Sequence, residues 1–294
     1  MKNFFKYLTI SEEDINWGLY LNVAGTAKIL PDTQYPPNEH PSGYFFKWES
    51  GRILNEYQLI YITEGAGVFE NNRGKTALKP GSIIIIRPDE WHRYRPFNKT
   101  GWKENYIGFN GVIANKIFTN SVLSSLLSVV QCGIKEEIID LYLKIFDLVE
   151  KEIPGFQQIT SGMIMELLGY IRSFEKQKGF SGNPVVKIIE EVRFSMRQNT
   201  DNQINFENIA KQYNISYSCF RKMFKKYTGV SPRQYHLQLK LIRAKELLVS
   251  TNKNIKEISI ELGFQTIHYF SLFFKKKTGL TPTEFRSLNN RNVL

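Results

Sequence analysis

The feature that most constrains this chain is an internal repeat near its C-terminus. Phe224-Lys225-Lys226-Tyr227-Thr228-Gly229-Val230-Ser231-Pro232 returns fifty residues later as Phe274-Lys275-Lys276-Lys277-Thr278-Gly279-Leu280-Thr281-Pro282. The match reaches backwards, with Ile209-Ala210 answered by Ile258-Ser259 and Phe220 by Phe270. Chance rarely repeats residue type and spacing together, so one supersecondary unit occurs twice. Each copy predicts a short helix, a turn, a second helix, and an exit through Thr-Gly into a Ser/Thr-Pro helix start.

In the first copy the spacing predicts a supporting helix over 206–213, with Asn214 at the turn because Asn tolerates the left-handed conformation. Ser216 is the expected cap of a second helix, Tyr217 to Tyr227. Phe220, Met223, Phe224 and Tyr227 share its inner face, leaving Tyr217, Ser218, Arg221, Lys222 and Lys225 outward. In the second copy 255–262 supports, Gly263 turns, and Thr266 caps a helix running to about Lys277. Phe270, Phe273 and Phe274 pack; Ile267, His268, Ser271, Leu272 and Lys275 face out. Such second helices suit the major groove of DNA, where a cation bonds guanine edges and aliphatic groups meet thymine methyls. Arg221 or Lys222 fits the first role, and Lys225 a phosphate. Between the copies, Pro232 to about Val249 reads as one helix. At ~1.5 Å per residue it spans about 27 Å, close to the ~34 Å between successive major grooves.

Charge points the same way. Residues 1–180 hold 20 Lys+Arg and 20 Asp+Glu; residues 181–294 hold 19 against 8, so the whole net charge of +11 lies in the repeat region. A basic domain beside a neutral one predicts that one half meets a polyanion and the other does not. Cys132 and Cys219 stand apart without metal-type spacing and suit a reducing cytoplasm. No apolar run is long enough for a membrane span, and Ser11-Glu12-Glu13-Asp14 interrupts the apolar start before a signal peptide forms.

Residues 1–110 read as β structure. Tyr57 to Ile62 is a strand, followed by a Gly-rich turn at 63–67, a resumption at 68–70 and a further turn at 71–74. Ile83 to Ile86 is a fully apolar strand, closed by the segment Arg87 to Tyr94. Short strands with frequent turns predict a jelly roll or small barrel. Residues 111–180 change to helical periodicity. Ile134, Ile138, Leu141, Ile145 and Leu148, then Ile164, Leu167, Ile171 and Phe174, form a seam on two helices joined near Pro154-Gly155. That seam suits packing onto the barrel or pairing with a second copy. Gly179 to Pro184 is the expected linker, with Asn183 and Pro184 opening a helix to about Gln198.

The segment 206–286 closely resembles the AraC/XylS family of bacterial transcription regulators. Ile209-Ala210, Ser216, Phe220, Phe224-Lys225-Lys226, Gly229-Val230-Ser231-Pro232, Tyr235, Arg243-Ala244 and Leu247-Leu248 carry the match. It continues through Ile255, Ile258, Gly263-Phe264, Tyr269-Phe270, Phe274-Lys275-Lys276, Gly279 and Thr281-Pro282 to Phe285-Arg286. Ser259 departs from the family's usual Ala, and Leu272 stands where a basic residue is frequent. Residues 52–94 resemble that family's cupin-type, arabinose-regulator-like sensor through Gly65-Ala66-Gly67, Lys79-Pro80-Gly81-Ser82 and Pro88-Asp89-Glu90-Trp91-His92-Arg93-Tyr94. The resemblance implies ligand contacts near Thr26, Arg52, Tyr94, Glu104 and Tyr106. Independently, Trp48, Trp91, Tyr94, Trp102 and Tyr106 supply aromatic walls of the kind small-molecule pockets favour.

The expected fold is therefore an α+β multidomain chain. A cupin-type β-barrel (1–110) is followed by a helical dimerisation or packing segment (111–178), a linker (179–184) and an all-α domain of two helix-turn-helix motifs (185–294). The expected function is a cytoplasmic, sequence-specific DNA-binding regulator, answering to a small-molecule effector, a carbohydrate. Its expected partners are double-stranded DNA, a second copy of itself and RNA polymerase, with no membrane. Two other readings stand beside it: a cupin enzyme with an appended DNA-binding tail, and a regulator whose barrel only dimerises. Against the enzyme, His92 and His40 form no HxH pair, so no metal centre or other cofactor is expected. No phosphate loop or nucleophile elbow occurs.

Overall fold

The computed structural model describes residues 3–36, 46–119, 123, 126–200 and 204–291. His40 lies outside them. The chain divides into two compact units, Met1–Gly179 and Phe180–Leu294.

The N-terminal unit opens with β1 (Phe4–Tyr7) and the short helix α1 (Glu12–Trp17), which Ser11 and Asp14 close in a reciprocal capping box. Then come β2 (Tyr20–Ile29), β3 (Tyr57–Gly65), β4 (Gly67–Asn71), β5 (Gly74–Leu78), β6 (Ser82–Ile86), β7 (His92–Pro96) and β8 (Trp102–Asn110). Helix α2 (Val112–Thr119), strand β9 (Val129–Gln131) and helices α3 (Glu136–Lys151) and α4 (Phe156–Lys178) complete it. Among the described residues the strands form two antiparallel sheets, ordered β1-β2-β8-β3-β6-β9 and β5-β4-β7.

The large sheet is covered on both faces, which explains the unbroken apolar run of β6. Ile84 and Ile86 point between the sheets, where they meet Ile60, Ile62, Phe69, Tyr94 and Trp102. Ile83 and Ile85 point the other way, into a core shared with Leu59, Tyr61 and the helices. A strand buried on one face alone would alternate apolar with polar. Most of the α3–α4 seam enters this second core: Ile138, Leu141, Ile145, Ile164, Leu167 and Ile171 are buried, Leu148 and Phe174 are half-buried, and Ile134 is exposed. Packing onto the sheet is observed for the six buried positions, one of the two roles the seam suited. The expectation of purely helical structure after residue 111 also needs correction. Val129–Gln131 adds an edge strand to β6, a pairing set by tertiary contact that three residues cannot announce.

The C-terminal unit contains α5 (Val185–Gln198), α6 (Phe206–Gln212), α7 (Tyr217–Thr228), α8 (Pro232–Ser250), α9 (Ile255–Glu261), α10 (Ile267–Thr278) and α11 (Pro282–Arg291). The repeat in sequence is a repeat in detail. Ser216 and Thr266 cap α7 and α10 by accepting from the Cys219 and Tyr269 amides. Gly229 and Gly279 end them in the left-handed region, at φ 87° and 82°, where glycine carries no Cβ penalty. Thr228 and Thr278 each donate to the carbonyl of the phenylalanine four residues earlier. Phe220, Phe224, Phe270 and Phe274 are fully buried.

Two separate cores result. One joins α5, α6 and α7 to Tyr235 and Leu239 of α8; the other joins Ala244, Leu247 and Leu248 of α8 to α9, α10 and Phe285. Because each core is small, truncating one phenylalanine is expected to be severe. Phe274→Ala should destabilise the C-terminal unit by about 3–5 kcal/mol. Urea unfolding monitored in that unit would show the loss, with the N-terminal transition unmoved.

Candidate functional site

The recognition surface is set by the caps and phenylalanines above. With Phe220, Met223 and Phe224 turned into the core, helical geometry leaves Ser218, Arg221, Lys222 and Lys225 exposed on α7. On α10, Ile267, His268, Leu272 and Lys275 are exposed, while Ser271 is half-buried. Tyr217 does not stand free as expected: its ring packs against the first core beside Ile204 and Phe206. The rod is α8, 19 residues long against the expected 18, or about 28 Å. Asn214 and Gly263 both adopt positive φ at the two turns.

The N-terminal unit holds a second candidate site between its sheets. Tyr7, Tyr35, Phe46, Arg52, Gln58, Tyr94, Glu104 and Tyr106 surround a cavity of about 20 Å³, room for one water molecule. Glu104, Tyr106 and Gln58 reach it because they share the inward face of their strands with Trp102 and Ile60. Gly25 makes the approach of Tyr106 possible. The two residues are paired in register, and a Cβ at Gly25 would lie 2.5 Å from the phenol ring.

Arg52 is the centre of the polar arrangement. Its Nη2 donates to the Tyr94 hydroxyl at 2.6 Å and its Nε to His92 Nε2 at 3.2 Å. Its guanidinium lies 4.9 Å from the Phe46 ring centre and 5.3 Å from that of Tyr94. His92 Nδ1 is 2.9 Å from the Glu90 carbonyl, so Nδ1 carries the proton and Nε2 accepts from Arg52. Burial, reinforced by the Arg52 charge, holds the His92 imidazole down to about 4. Glu104 is 3% exposed and accepts from the Tyr35 hydroxyl at 3.3 Å. Burial outweighs that bond and the Arg52 charge, and pushes its carboxyl up to about 8, so at neutral pH it is a protonated acid.

Of the expected ligand residues, Arg52, Tyr94, Glu104 and Tyr106 converge, and Thr26, Trp48 and Trp91 do not. Thr26 lies on the face of β2 that it shares with Ala24, covered by helices; its hydroxyl donates to the Glu104 carbonyl. Trp48 is held outside the small sheet, under Arg95 at 3.9 Å and Arg93 at 4.5 Å. Trp91 stands on the same side as Arg93 and donates to Ser50. The period of two decides this: Arg93 and Arg95 flank Tyr94 on β7 and point away from it. Tyr7, Tyr35, Phe46 and Gln58 were missed, and only the alternation of Gln58 with Ile60 and Ile62 signalled one of them.

Two helix-turn-helix units in the basic C-terminal unit define a DNA-binding regulator. Comparison with known proteins agrees. Residues 209–287 match the helix-turn-helix domain family and residues 22–124 the AraC-like ligand binding domain. The chain is 27% identical over 239 residues to the Msm operon regulatory protein of Streptococcus mutans, covering 80% of this chain and 85% of that one. It is 27% identical over 245 residues to the lactose operon transcription activator of Staphylococcus xylosus, covering 81% and 88%. It is 26% identical over 252 residues to the raffinose operon transcriptional regulatory protein of Pediococcus pentosaceus, covering 82% and 88%. The chain belongs to the AraC family of transcription regulators: it binds DNA through its C-terminal unit, and the relatives it matches are regulators, not enzymes. Among the described residues no helix is long and apolar enough to cross a membrane.

The two buried titrating groups make opposite contributions to stability. Glu104, raised from 4.5 to about 8, binds its proton more tightly when folded, so stability falls as pH rises between those values. His92, lowered from 6.5 to about 4, makes stability rise over that interval. The two oppose each other below pH 6.5, and between pH 6.5 and 8 Glu104 acts alone. The melting temperature of the N-terminal unit should therefore drop across pH 6.5–8, and Glu104→Gln should remove that drop; an unchanged slope would show that Glu104 is ionised throughout.

Proposed function

We propose that this regulator senses a small, uncharged polyhydroxylated molecule, a sugar, in the cavity between its sheets, and reads two successive major grooves with α7 and α10. The observation that carries the sensing half is that Arg52 and Glu104 line one cavity, with no ion pair between the two, inside a wall of Tyr7, Tyr35, Phe46, Tyr94 and Tyr106. Aromatic faces suit sugar C–H groups. A protonated carboxyl both donates and accepts, and the guanidinium donates, which together match hydroxyls rather than a charged ligand. Relatives named for lactose and raffinose operons support the same class. The aromatic side chains themselves fill most of the cavity, so a ligand enters by displacing them.

For DNA, the exposed Ser218, Arg221, Lys222 and Lys225 on α7 and Ile267, His268 and Lys275 on α10, with the half-buried Ser271, support base and phosphate contacts by two units on one rod. Arg221 is assigned to a guanine edge, Lys225 and Lys275 to phosphates, and Ile267 to a thymine methyl. The protein acts in the cytoplasm as a homodimer, contacting RNA polymerase as an activator. Ile134, Leu148 and Phe174, the seam residues not fully buried, are available to a second copy.

Two outcomes test this reading. Arg221→Ala should weaken binding to fragments selected from the genome by about 5- to 160-fold, the ~1–3 kcal/mol of a lost bidentate contact, and weaken binding to unrelated DNA far less; equal losses on both would make Arg221 a phosphate contact. A panel of mono- and oligosaccharides should contain one that raises the melting temperature of the wild type. Arg52→Ala should lose that rise while still binding DNA, and a retained rise would remove Arg52 from the site.

A further inference from the structure

The two grooves beside α8 differ in charge. Along that helix, positions 233, 236, 237 and 240 form one stripe, and positions 239, 242, 243 and 246 another. The second stripe opens on a groove of about 480 Å³ that mixes Arg197 and Arg243 with Glu246 and Glu261. The first opens on a cleft of about 490 Å³ lined by Arg233, His236 and Lys240 together with Phe206, Phe264 and Tyr269, and none of its described lining side chains is acidic. Lys240 is 6% exposed, with its ammonium 5.5 Å from the Phe264 ring centre, whereas Arg233 is exposed.

The position of this cleft is as informative as its charge. At one end Ile204 and Phe206 also border the surface at Tyr217, the first residue of α7, where Glu207 contributes the one carboxylate. At the other end lies Tyr269, in the first turn of α10. The cleft thus runs from the start of one recognition helix to the start of the other. A duplex entered by both helices presents its intervening minor groove to the space between them, bordered by two phosphate strands.

We propose that this cleft is a docking surface for the sugar–phosphate strand bordering the central minor groove, with the exposed Arg233 facing a phosphate, the exposed Tyr269 facing a sugar, and Lys240 adding its charge at the cleft floor. The proposal rests on the reading that α7 and α10 enter successive major grooves. It gives the protein a DNA contact carrying no base identity. The strand's geometry matters there, so base pairs that no side chain touches would influence affinity through groove width.

The test uses the full-length protein and a DNA fragment selected by it. Arg233→Ala should lower affinity several-fold for selected and unrelated DNA alike and reduce the slope of log affinity against log salt by about 0.9, and Lys240→Met should lower both affinities and the slope by a smaller amount. Arg233→Lys should restore the slope. Hydroxyl-radical protection of the central minor groove should weaken while protection of guanine N7 in the flanking major grooves persists. Wild-type slopes and footprints in both variants, with Arg221→Ala still discriminating between DNAs, would overturn the cleft and leave the two-groove reading intact. If Arg221→Ala has no effect either, the two-groove reading falls and the cleft proposal with it. A melting temperature raised by benzoate in the wild type but not in Arg233→Ala, without a change in salt slope, would reassign the cleft to a small organic anion.

Discussion

One helix has to complete two cores. Helix α8 gives Tyr235 and Leu239 to the first and Ala244, Leu247 and Leu248 to the second. Neither three-helix unit encloses enough apolar surface to stand well alone, since burial per residue falls steeply in small domains. Sharing a continuous rod solves this and fixes the separation of the two recognition helices in the same step. The capping box of Ser231 and Gln234 and the proline at its first turn set where the rod starts. Arg286 then bonds the Leu248 carbonyl and ties α11 to its far end.

The same economy governs the N-terminal unit. Its six-stranded sheet has an apolar face for the helices and a second face for the small sheet, so successive residues of a strand serve different cores. Polar groups tolerated on the inner face are those that find partners: Arg52 with His92 and Tyr94, Glu104 with Tyr35. Burial favours the neutral acid at Glu104 and the neutral base at His92. The Arg52 guanidinium is held between aromatic faces, and the buried Glu56 carboxyl accepts from Asn22 and Gln58 nearby. The basic surplus of the chain lies in the other unit, so the sensing and DNA-binding surfaces differ in electrostatics as well as in fold.

Much of the DNA-binding unit was legible in the sequence because its determinants are local. Caps at Ser216 and Thr266, turns at Asn214 and Gly263, and the buried Phe220/Phe224 and Phe270/Phe274 pairs all act within a few residues along a helix. Outward positions follow from them by helical period alone. Tyr217 is half-buried because it packs against the first core, a tertiary contact that period does not reveal. In the sandwich the balance shifts. Its apolar strands and turns were readable, but Thr26, Trp48 and Trp91 look as suitable for a ligand site as Arg52, Tyr94, Glu104 and Tyr106.

Residue order by itself settled the tandem helical units, the rod between them, their basic charge and the β character of the first hundred residues. These depend on hydrogen bonds and side-chain spacing within short segments. The tertiary structure alone decided which face of each strand became the interior, that most of the α3–α4 seam is covered by the sheet, and that Tyr7, Tyr35 and Phe46 join Arg52 and Glu104. Those outcomes depend on which sheet covers which face. A shift of one residue in pairing would exchange every inward side chain for its outward neighbour.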